Sequence, residues 1–289
     1  MRNEQLSLLT GNGIFKSKTR SGKKFKTRIK LLTKKAPKAR YGIGDTEQYK
    51  TDNKGSIVFS YTVNSCAYCI VSGEYVTRKS LTIVFSGIRE FMCTTYKNRL
   101  DVAIEKTKAI GGVVKELSFR KGMNEIVNFV TKECDGHLLH HCIDNDIKFL
   151  KNTQEYMKML NFKDYRFFKQ NTGSFYKGDI CYNNEWDTIT FTDTCKLLNN
   201  PDYNPKSQGK FIEWSKEHSQ DYLTRGKKCI GKLNSWVKFV TNDVNYIQKH
   251  NSFDDVIDLL KVCNYIMKIE GTSIRKCDIV DNFSAAISN

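Results

Sequence analysis

Four acidic residues stand on segments that are far apart in the chain but suited to meet at one point. Asp45 and Glu47 are separated by one residue at the end of a short strand-like stretch, and Asp146 and Asp255 each open a predicted helix. Converging carboxylates repel one another and are costly to bury unless hard cations neutralise them. Two divalent ions about 3.5–4 Å apart, held by such carboxylates, are the usual machinery for hydrolysing a phosphodiester. The four acids therefore predict metal-dependent cleavage of nucleic acid.

The spacing of these residues also suggests what each could do. Residues i and i+2 of a strand point to one side, so Asp45 and Glu47 could share one metal face. Oxygen ligands suit Mg²⁺ or Mn²⁺. His250 precedes Asp255 in a His-x4-Asp pattern. Because the reference pKa of histidine is about 6.5, His250 could accept a proton at neutral pH.

Each of these residues has a competing structural interpretation. The Asp-x-Glu pair could form a solvated turn, and Asp146 could simply favour a helix N-terminus through the helix dipole. The Ser252-x-x-Asp255 pattern is typical of a capping box, so Asp255 could cap its helix. The joint occurrence of the four acids with His250 favours the metal site over these separate explanations.

Hydrophobic patterning predicts the elements that position these residues. Runs of β-branched and aromatic residues predict strands at 40–44, 56–63 and 80–85, with a weaker strand at 67–76. Apolar residues at helical spacing predict helices around Leu100, Met123 and Val256. A short apolar strand at 137–143 leads into a helix that begins at Asp146. This order predicts an α/β fold with a mixed β-sheet flanked by helices.

Three short motifs occur in order along residues 40–270. They are Gly44-Asp45-Thr46-Glu47, the segment from His140 to Leu150 around Asp146, and His250 with Asp255, with Thr192-Asp193-Thr194 between the last two. Together they resemble the DEDDh branch of the DnaQ-like 3′–5′ exonucleases, in the RNase H-like superfamily. The resemblance implies an RNase H-like mixed sheet, two Mg²⁺ or Mn²⁺ ions held by Asp45, Glu47, Asp146 and Asp255, and His250 as general base.

The chain departs from the family pattern at the second motif. His141 stands where the family usually has Asn, and one extra residue precedes Asp146, so Asp144 is an alternative ligand. The distance to the third motif predicts an insertion at about residues 160–235. That segment mixes aromatic and basic residues, which suits stacking on single strands but is equally compatible with an ordinary, partly buried insertion.

Charge divides the chain into a basic N-terminal arm or hairpin at 1–39 and an exonuclease-type domain at 40–289. The formal net charge is +16, which favours a polyanionic partner, most commonly nucleic acid. No acidic residue occurs between positions 16 and 40. The arm residues predicted to bind nucleic acid are Lys23, Lys24, Lys26 and Arg28.

The ten cysteines are predicted to stay thiols, because the sequence shows no secretory or membrane-spanning segment and an intracellular location, cytoplasmic or nuclear/nucleoid, is expected. Cys142, Cys195 and Cys263 lie in apolar segments and are predicted to be small core residues. A further possibility is a zinc site, because two pairs have ligand-like spacing: Cys66 with Cys69, and Cys134 with His137.

The sequence thus predicts a metal-dependent 3′–5′ exonuclease that removes nucleotides from DNA or RNA, with single-stranded 3′ ends as the favoured partner and no membrane association. One alternative is a non-catalytic nucleic-acid-binding module on the same fold. Another is a nucleic-acid-binding protein stabilised by zinc at Cys66, Cys69, Cys134 and His137.

Overall fold

The computed structural model describes residues 40–51, 55–167, 181–183, 189–220, 223–224, 227–228 and 232–271. The predicted arm at 1–39, with Lys23, Lys24, Lys26 and Arg28, lies outside these ranges, and its binding of nucleic acid stays a prediction. Several aromatic residues of the predicted insertion, at 168–180 and 184–188, also lie outside them. None of the helices in the described ranges has the length and apolarity needed to cross a bilayer.

The chain has the α/β architecture that the sequence predicts, built around one mixed β-sheet. The strands of this sheet are β1 (Tyr41–Thr51), β2 (Gly55–Cys69), β3 (Glu74–Phe85), β4 (Val113–Leu117), β5 (His137–His140), β6 (Cys181–Asn183) and β7 (Thr190–Asp193). Their order in the sheet is β4-β3-β2-β1-β5-β7-β6. Strands β1 to β3 form an antiparallel meander, whereas β5 is parallel to β1 and β7 is parallel to β5. A separate hairpin pairs β8 (Leu223–Thr224) with β9 (Lys227–Lys228).

Helices pack on both faces of the sheet. They are α1 (Thr94–Ala109), α2 (Phe119–Glu133), α3 (Ile143–Met159), α4 (Thr194–Asn199), α5 (Pro205–Glu217), α6 (Leu233–Thr241) and α7 (Ser252–Glu270). Leu138 belongs to the hydrophobic cluster that includes α2 and α3, whereas its neighbour Leu139 belongs to the cluster of α4 to α7. Successive strand residues point to opposite faces, so the two clusters lie on opposite sides of the sheet.

Strand β1 is longer than predicted, and this changes where the acids stand. It continues to Thr51, so Asp45 and Glu47 lie in the middle of the strand and not at its end. Its parallel pairing with β5 stops at Ile43, opposite Leu139. Beyond Ile43, β1 is paired only with β2 among the described strands. The acids therefore lie where one edge of β1 has no partner strand among the described residues.

Two other predicted boundaries are wrong for local backbone reasons. The weak strand at 67–76 is the tip of a hairpin, in which β2 ends at Cys69 and β3 begins at Glu74. Helix α3 begins at Ile143 and not at Asp146, so Asp146 lies within its first turn. Cys142, with φ of 63° in the left-handed region, separates this helix from β5. A left-handed residue cannot continue either element, which fixes the boundary there.

Part of the predicted insertion at 160–235 belongs to the main fold. Strand β7 is hydrogen-bonded to β5, and Leu198 and Phe211 are buried in the second cluster. Among the aromatic residues at the start of the insertion, Tyr165 and Phe167 pack partly buried against the first cluster. Phe162, in contrast, is 37% exposed. Stacking of nucleic acid on this segment therefore stays a prediction.

A buried chain of four hydroxyl groups ties the sheet to α1 and α7. The Thr82 hydroxyl lies 2.9 Å from that of Thr62 and 2.7 Å from that of Thr107, and Thr62 lies 2.7 Å from Ser252. Thr107 donates its proton to the carbonyl oxygen of Ala103. Each hydroxyl has one proton, so Thr82 must donate to Thr107, Thr62 to Thr82, and Ser252 to Thr62. The chain holds the first residue of α7, three positions before Asp255.

We expect Thr82→Val, which keeps the shape of the side chain, to lower the free energy of unfolding by about 1–3 kcal/mol. The substitution removes the middle of the chain, so the buried Thr62 hydroxyl loses its acceptor and the buried Thr107 hydroxyl loses its donor. Urea denaturation followed by circular dichroism measures the change. Thr241→Val is the matched control, because the Thr241 hydroxyl bonds to Val237 at a solvent-exposed helix end. Equal stability of the two variants would contradict the proposed chain.

Candidate metal centre and cleft

The predicted site residues lie on the walls of one cleft of about 590 Å³. It opens beside the unpaired edge of β1 and the carboxyl ends of β5 and β7, and α1, α3, α6 and α7 contribute to its walls. Its lining includes all five residues predicted to act in catalysis, which are Asp45, Glu47, Asp146, His250 and Asp255. The fold therefore places these residues together, although they come from three distant parts of the sequence.

Three of the four predicted metal ligands form a tight cluster. Carboxylate oxygens of Asp45, Glu47 and Asp255 all lie within 4.8 Å of one another. Asp45 and Glu47 reach the same side of β1 because strand side chains alternate, and the first turn of α7 brings Asp255 to them. The capping interpretation of Asp255 is wrong, because the side chain of Asn251 caps this helix by accepting from the backbone N–H of Asp254.

Burial and mutual repulsion make these three acids reluctant to ionise. Burial, followed by the charges of Asp255, Asp146 and Glu47, raises the pKa of Asp45 well above its usual range. Burial and the charge of Asp255 raise the pKa of Glu47 to about 9. Burial also raises the pKa of Asp255 to about 7, although Gln248 donates a hydrogen bond to it. Three buried carboxylates cannot all be charged at neutral pH unless positive charge is supplied.

The hydrogen bonding of Asp255 tests whether a cation fits this cluster. Its Oδ2 accepts a hydrogen bond of 2.9 Å from Nε2 of Gln248. Its Oδ1 is buried and has no hydrogen-bond partner within the part of the chain that the structure describes. A buried carboxylate oxygen without a donor is strongly unfavourable, and a divalent cation would satisfy it. The donor atoms of the cluster are all carboxylate oxygens, which suits Mg²⁺ or Mn²⁺.

Asp146 lines the same cleft but is held differently. Its Oδ1 accepts a 2.6 Å hydrogen bond from the Thr46 hydroxyl, and its Oδ2 lies 2.8 Å from Nδ1 of His140. The Tyr61 hydroxyl lies 2.5 Å from Nε2 of the same histidine. The neutral tautomer that satisfies both contacts donates from Nδ1 to Asp146 and accepts at Nε2 from Tyr61. These partners orient Asp146 beside the cluster.

A glycine makes room for this arrangement. A Cβ atom at Gly44 would stand 2.5 Å from Nε2 of His140 and 3.1 Å from the Tyr61 ring. Real Cβ atoms do not approach other atoms so closely, so any larger residue would displace the imidazole. The glycine of the first motif is thus required to keep the His140 ring against β1.

The alternative ligand Asp144 points elsewhere. Its carboxylate forms an ion pair with Nζ of Lys196 at 2.9 Å, and its side chain is 42% exposed. Asp146 is buried in the cleft. This geometry favours Asp146 over Asp144 as the residue that faces the carboxylate cluster.

His250 lines the cleft and lies two residues before the start of α7. Its backbone is left-handed, with φ of 50°. Its side chain is exposed. Partial desolvation by the surrounding protein, followed by the positive charge of Arg99, lowers the pKa of the ring below its usual value. The imidazole is therefore neutral at neutral pH and able to accept a proton.

Sequence reasoning missed two cations of the cleft. Arg99 and Lys232 both line it. The positive charge of Arg99 lowers the pKa values of Glu47, Asp255 and His250, although burial outweighs it for both acids. No local pattern marked Arg99, because it reaches the acids only through the packing of α1 beside the sheet.

A second group of potential ligands lies on another part of the cleft wall. Ligand atoms of His141, Cys142 and Cys195 also lie within 4.8 Å of one another. The prediction that Cys142 and Cys195 are core residues is wrong, because both are only partly buried and line the cleft, whereas Cys263 is buried as predicted.

The predicted zinc ligands do not come together. All four lie within the described residues, yet no three of Cys66, Cys69, Cys134 and His137 bring ligand atoms within 4.8 Å. Cys66 is buried among apolar residues of the second cluster, and Cys69 lies near the hairpin tip. Nε2 of His137 lies 2.8 Å from the Thr192 hydroxyl. The strand pleat turns Cys66 and Cys69, three residues apart in β2, to opposite faces, and the four residues do not form a zinc site.

Neither a comparison with protein-family models nor one with curated proteins finds a match for this chain.

The raised pKa values predict how the stability of the ion-free protein depends on pH. The unfolded chain loses its carboxyl protons at a pKa of about 4, whereas folded Glu47 keeps its proton up to about pH 9 and folded Asp255 up to about pH 7. The folded state thus binds more protons in this window, so stability should fall as the pH rises. Divalent ions should raise the melting temperature most at the alkaline end, where the ligands are ionised.

Melting temperatures between pH 5 and 9, with EDTA or with Mn²⁺, test this expectation. Asp45→Asn should flatten the pH dependence and reduce the effect of Mn²⁺. Asp144→Asn is the matched control, since Asp144 pairs with Lys196 outside the cluster, and it should behave like the wild type. Parallel pH curves for all three proteins would show that the cluster does not control the titration.

Proposed function

We propose that this chain is a metal-dependent 3′–5′ exonuclease of the DEDDh type, which hydrolyses phosphodiester bonds at the ends of DNA or RNA. The observation that carries the proposal is the unpartnered, buried Oδ1 of Asp255 in a cluster with Asp45 and Glu47. Asp146 and His250 line the same cleft. Metal-dependent hydrolysis is supported by this geometry, and the 3′–5′ direction by the resemblance of the motifs.

The sheet is compatible with the RNase H-like fold that we propose for residues 40–289. Strands β1 to β3 form an antiparallel meander, and β5 and β7 follow β1 in parallel on its other side. Helices pack on both faces. In this arrangement Asp45 and Glu47 are on the central strand, and Asp146 and Asp255 each lie in the first turn of a helix that borders the cleft.

The chain would hold two divalent ions through Asp45, Glu47 and Asp255, with Asp146 as the fourth ligand. Such ions, when bound, lower the pKa of water and stabilise charge on the leaving oxygen. Thr46 and His140 keep the Asp146 carboxylate in position, as residues behind metal ligands commonly do. The exposed entrance leaves room for a nucleic-acid end to approach the acids.

The remaining cleft residues have roles in proton transfer and binding. His250 is neutral and exposed to the cleft, so it is placed to take a proton from the attacking water. Arg99 and Lys232 offer positive charge on the cleft wall, and Arg99 is suited to bind a phosphate through its planar guanidinium. The predicted arm residues Lys23, Lys24, Lys26 and Arg28 would add affinity for the backbone through charge.

Removing one carboxylate from the cluster should nearly abolish cleavage. We expect Asp45→Asn, Glu47→Gln and Asp255→Asn each to slow hydrolysis by about 10⁴-fold, because the acids act as one unit. Gel electrophoresis of 5′-labelled single-stranded DNA and RNA with Mg²⁺, Mn²⁺ or EDTA measures the loss and the direction of degradation.

Asp146→Asn should be as severe, whereas Asp144→Asn should retain the wild-type rate within a few-fold. Binding of the same strands to the inactive variants distinguishes loss of chemistry from loss of affinity. Wild-type protein that binds strands but leaves them intact in every metal would instead support the non-catalytic binding module.

His250→Ala should reduce the cleavage rate by about 10²–10⁴-fold, the usual contribution of a general base. In the wild type, the rate should rise as the pH passes through the pKa of His250, which lies below 6.5, and then level off. The variant should lose this rise and keep its response to Mn²⁺ in thermal melts. His218→Ala, at an exposed position after α5, is the control. An unchanged pH profile in His250→Ala would assign proton transfer to another group.

A further inference from the structure

We propose that His141, Cys142 and Cys195 form a Zn²⁺ site on the wall of the cleft, separate from the carboxylate cluster. Their ligand atoms all lie within 4.8 Å of one another. Two sulfurs and one imidazole nitrogen are donors that select Zn²⁺ over Mg²⁺ or Mn²⁺. The site is independent of the proposed exonuclease activity, since none of its ligands belongs to the acidic cluster.

The topology of the sheet brings these residues together. His141 and Cys142 directly follow β5, and Cys195 lies in the first turn of α4, directly after β7. The two strands are parallel neighbours, with His140 opposite Asp193 at their carboxyl ends. Ligands from two segments far apart in sequence therefore meet at one edge of the sheet.

A buried carboxylate fixes the two cysteines relative to each other. Oδ1 of Asp193 accepts hydrogen bonds from the backbone N–H of Cys142 at 3.1 Å and of Cys195 at 2.9 Å. The Thr194 hydroxyl lies 3.1 Å from Nδ1 of His141 and restrains its ring. Hydrogen bonds that hold metal ligands in place are typical of built metal sites, because they reduce the cost of ordering the ligands.

The two thiols already interact with each other. A hydrogen bond from Cys142 to Cys195 lowers the pKa of Cys195, and the same contact, together with burial, raises the pKa of Cys142. Zn²⁺ binds cysteine as the thiolate, so binding would release the thiol protons to solvent.

The position of the site suggests what it does. The three residues are partly buried and line the cleft, so an ion that they held could also bind water or a substrate oxygen from the cleft. The ion would join the carboxyl ends of β5 and β7 and fix the backbone at Cys142. Asp146 lies one turn further along α3, so the same link would steady this proposed ligand of the carboxylate centre.

Co²⁺ substitution tests the site without relying on cleavage. The full chain is stripped with a chelator under reducing conditions, returned to excess Mg²⁺, and titrated with Co²⁺. Coordination by sulfur gives a thiolate-to-cobalt charge-transfer band, which carboxylates do not produce. We expect one equivalent of Co²⁺ to develop the band and Zn²⁺ to abolish it by displacement. Zn²⁺ should also raise the melting temperature of the wild type.

The double variant Cys142→Ser/Cys195→Ser should bind one equivalent of Co²⁺ fewer than the wild type. It should also lose the increase in melting temperature that Zn²⁺ gives the wild type. Its fold should survive, because both side chains are partly exposed, and circular dichroism verifies this. Cys93→Ser, which alters an exposed cysteine directly before α1, is the control and should keep the band. Absence of the band in the wild type, or its persistence in the double variant, would overturn the proposal.

Discussion

The strongest constraint on this structure is the electrostatic cost of bringing Asp45, Glu47 and Asp255 together in a partly buried cleft. Removing a carboxylate from water raises its free energy, and like charges a few ångströms apart raise it further. The raised pKa values of all three acids and the unpartnered oxygen of Asp255 express this cost. Protonation relieves this cost in the ion-free protein. The divalent ions that we propose would relieve it with the acids ionised.

The rest of the fold is arranged to keep these groups in place despite their repulsion. The hydroxyl chain through Thr62 and Thr82 fastens the start of α7, and therefore Asp255, to the centre of the sheet. The His140 ring packs closely against Gly44, and from this position His140 contacts the Asp146 carboxylate together with Thr46. Rigid elements of this kind allow a site to tolerate unfavourable local charge, because the stability of the surrounding core offsets it.

The sequence was informative where local rules decide the outcome. Strand alternation was enough to put Asp45 and Glu47 on one side of β1, and helical spacing located α1, α2 and α7. It was uninformative where contacts between distant segments determine which residues meet. Arg99 reaches the acids only through the packing of α1, and Cys142 meets Cys195 only through the pairing of β5 with β7. Apolar neighbours suggested that these cysteines are buried, but the left-handed backbone at Cys142 ends the strand pattern on which that inference depended.

The most direct test of the carboxylate centre is anomalous X-ray diffraction from crystals of the protein soaked in Mn²⁺, measured at the manganese absorption edge. We predict two anomalous peaks in the cleft, in contact with the carboxylates of Asp45, Glu47 and Asp255, with Asp146 beside them. Both peaks should disappear from crystals of Asp45→Asn. A cleft without anomalous density at saturating Mn²⁺, or density that is unchanged in the variant, would contradict the assignment of these acids as metal ligands.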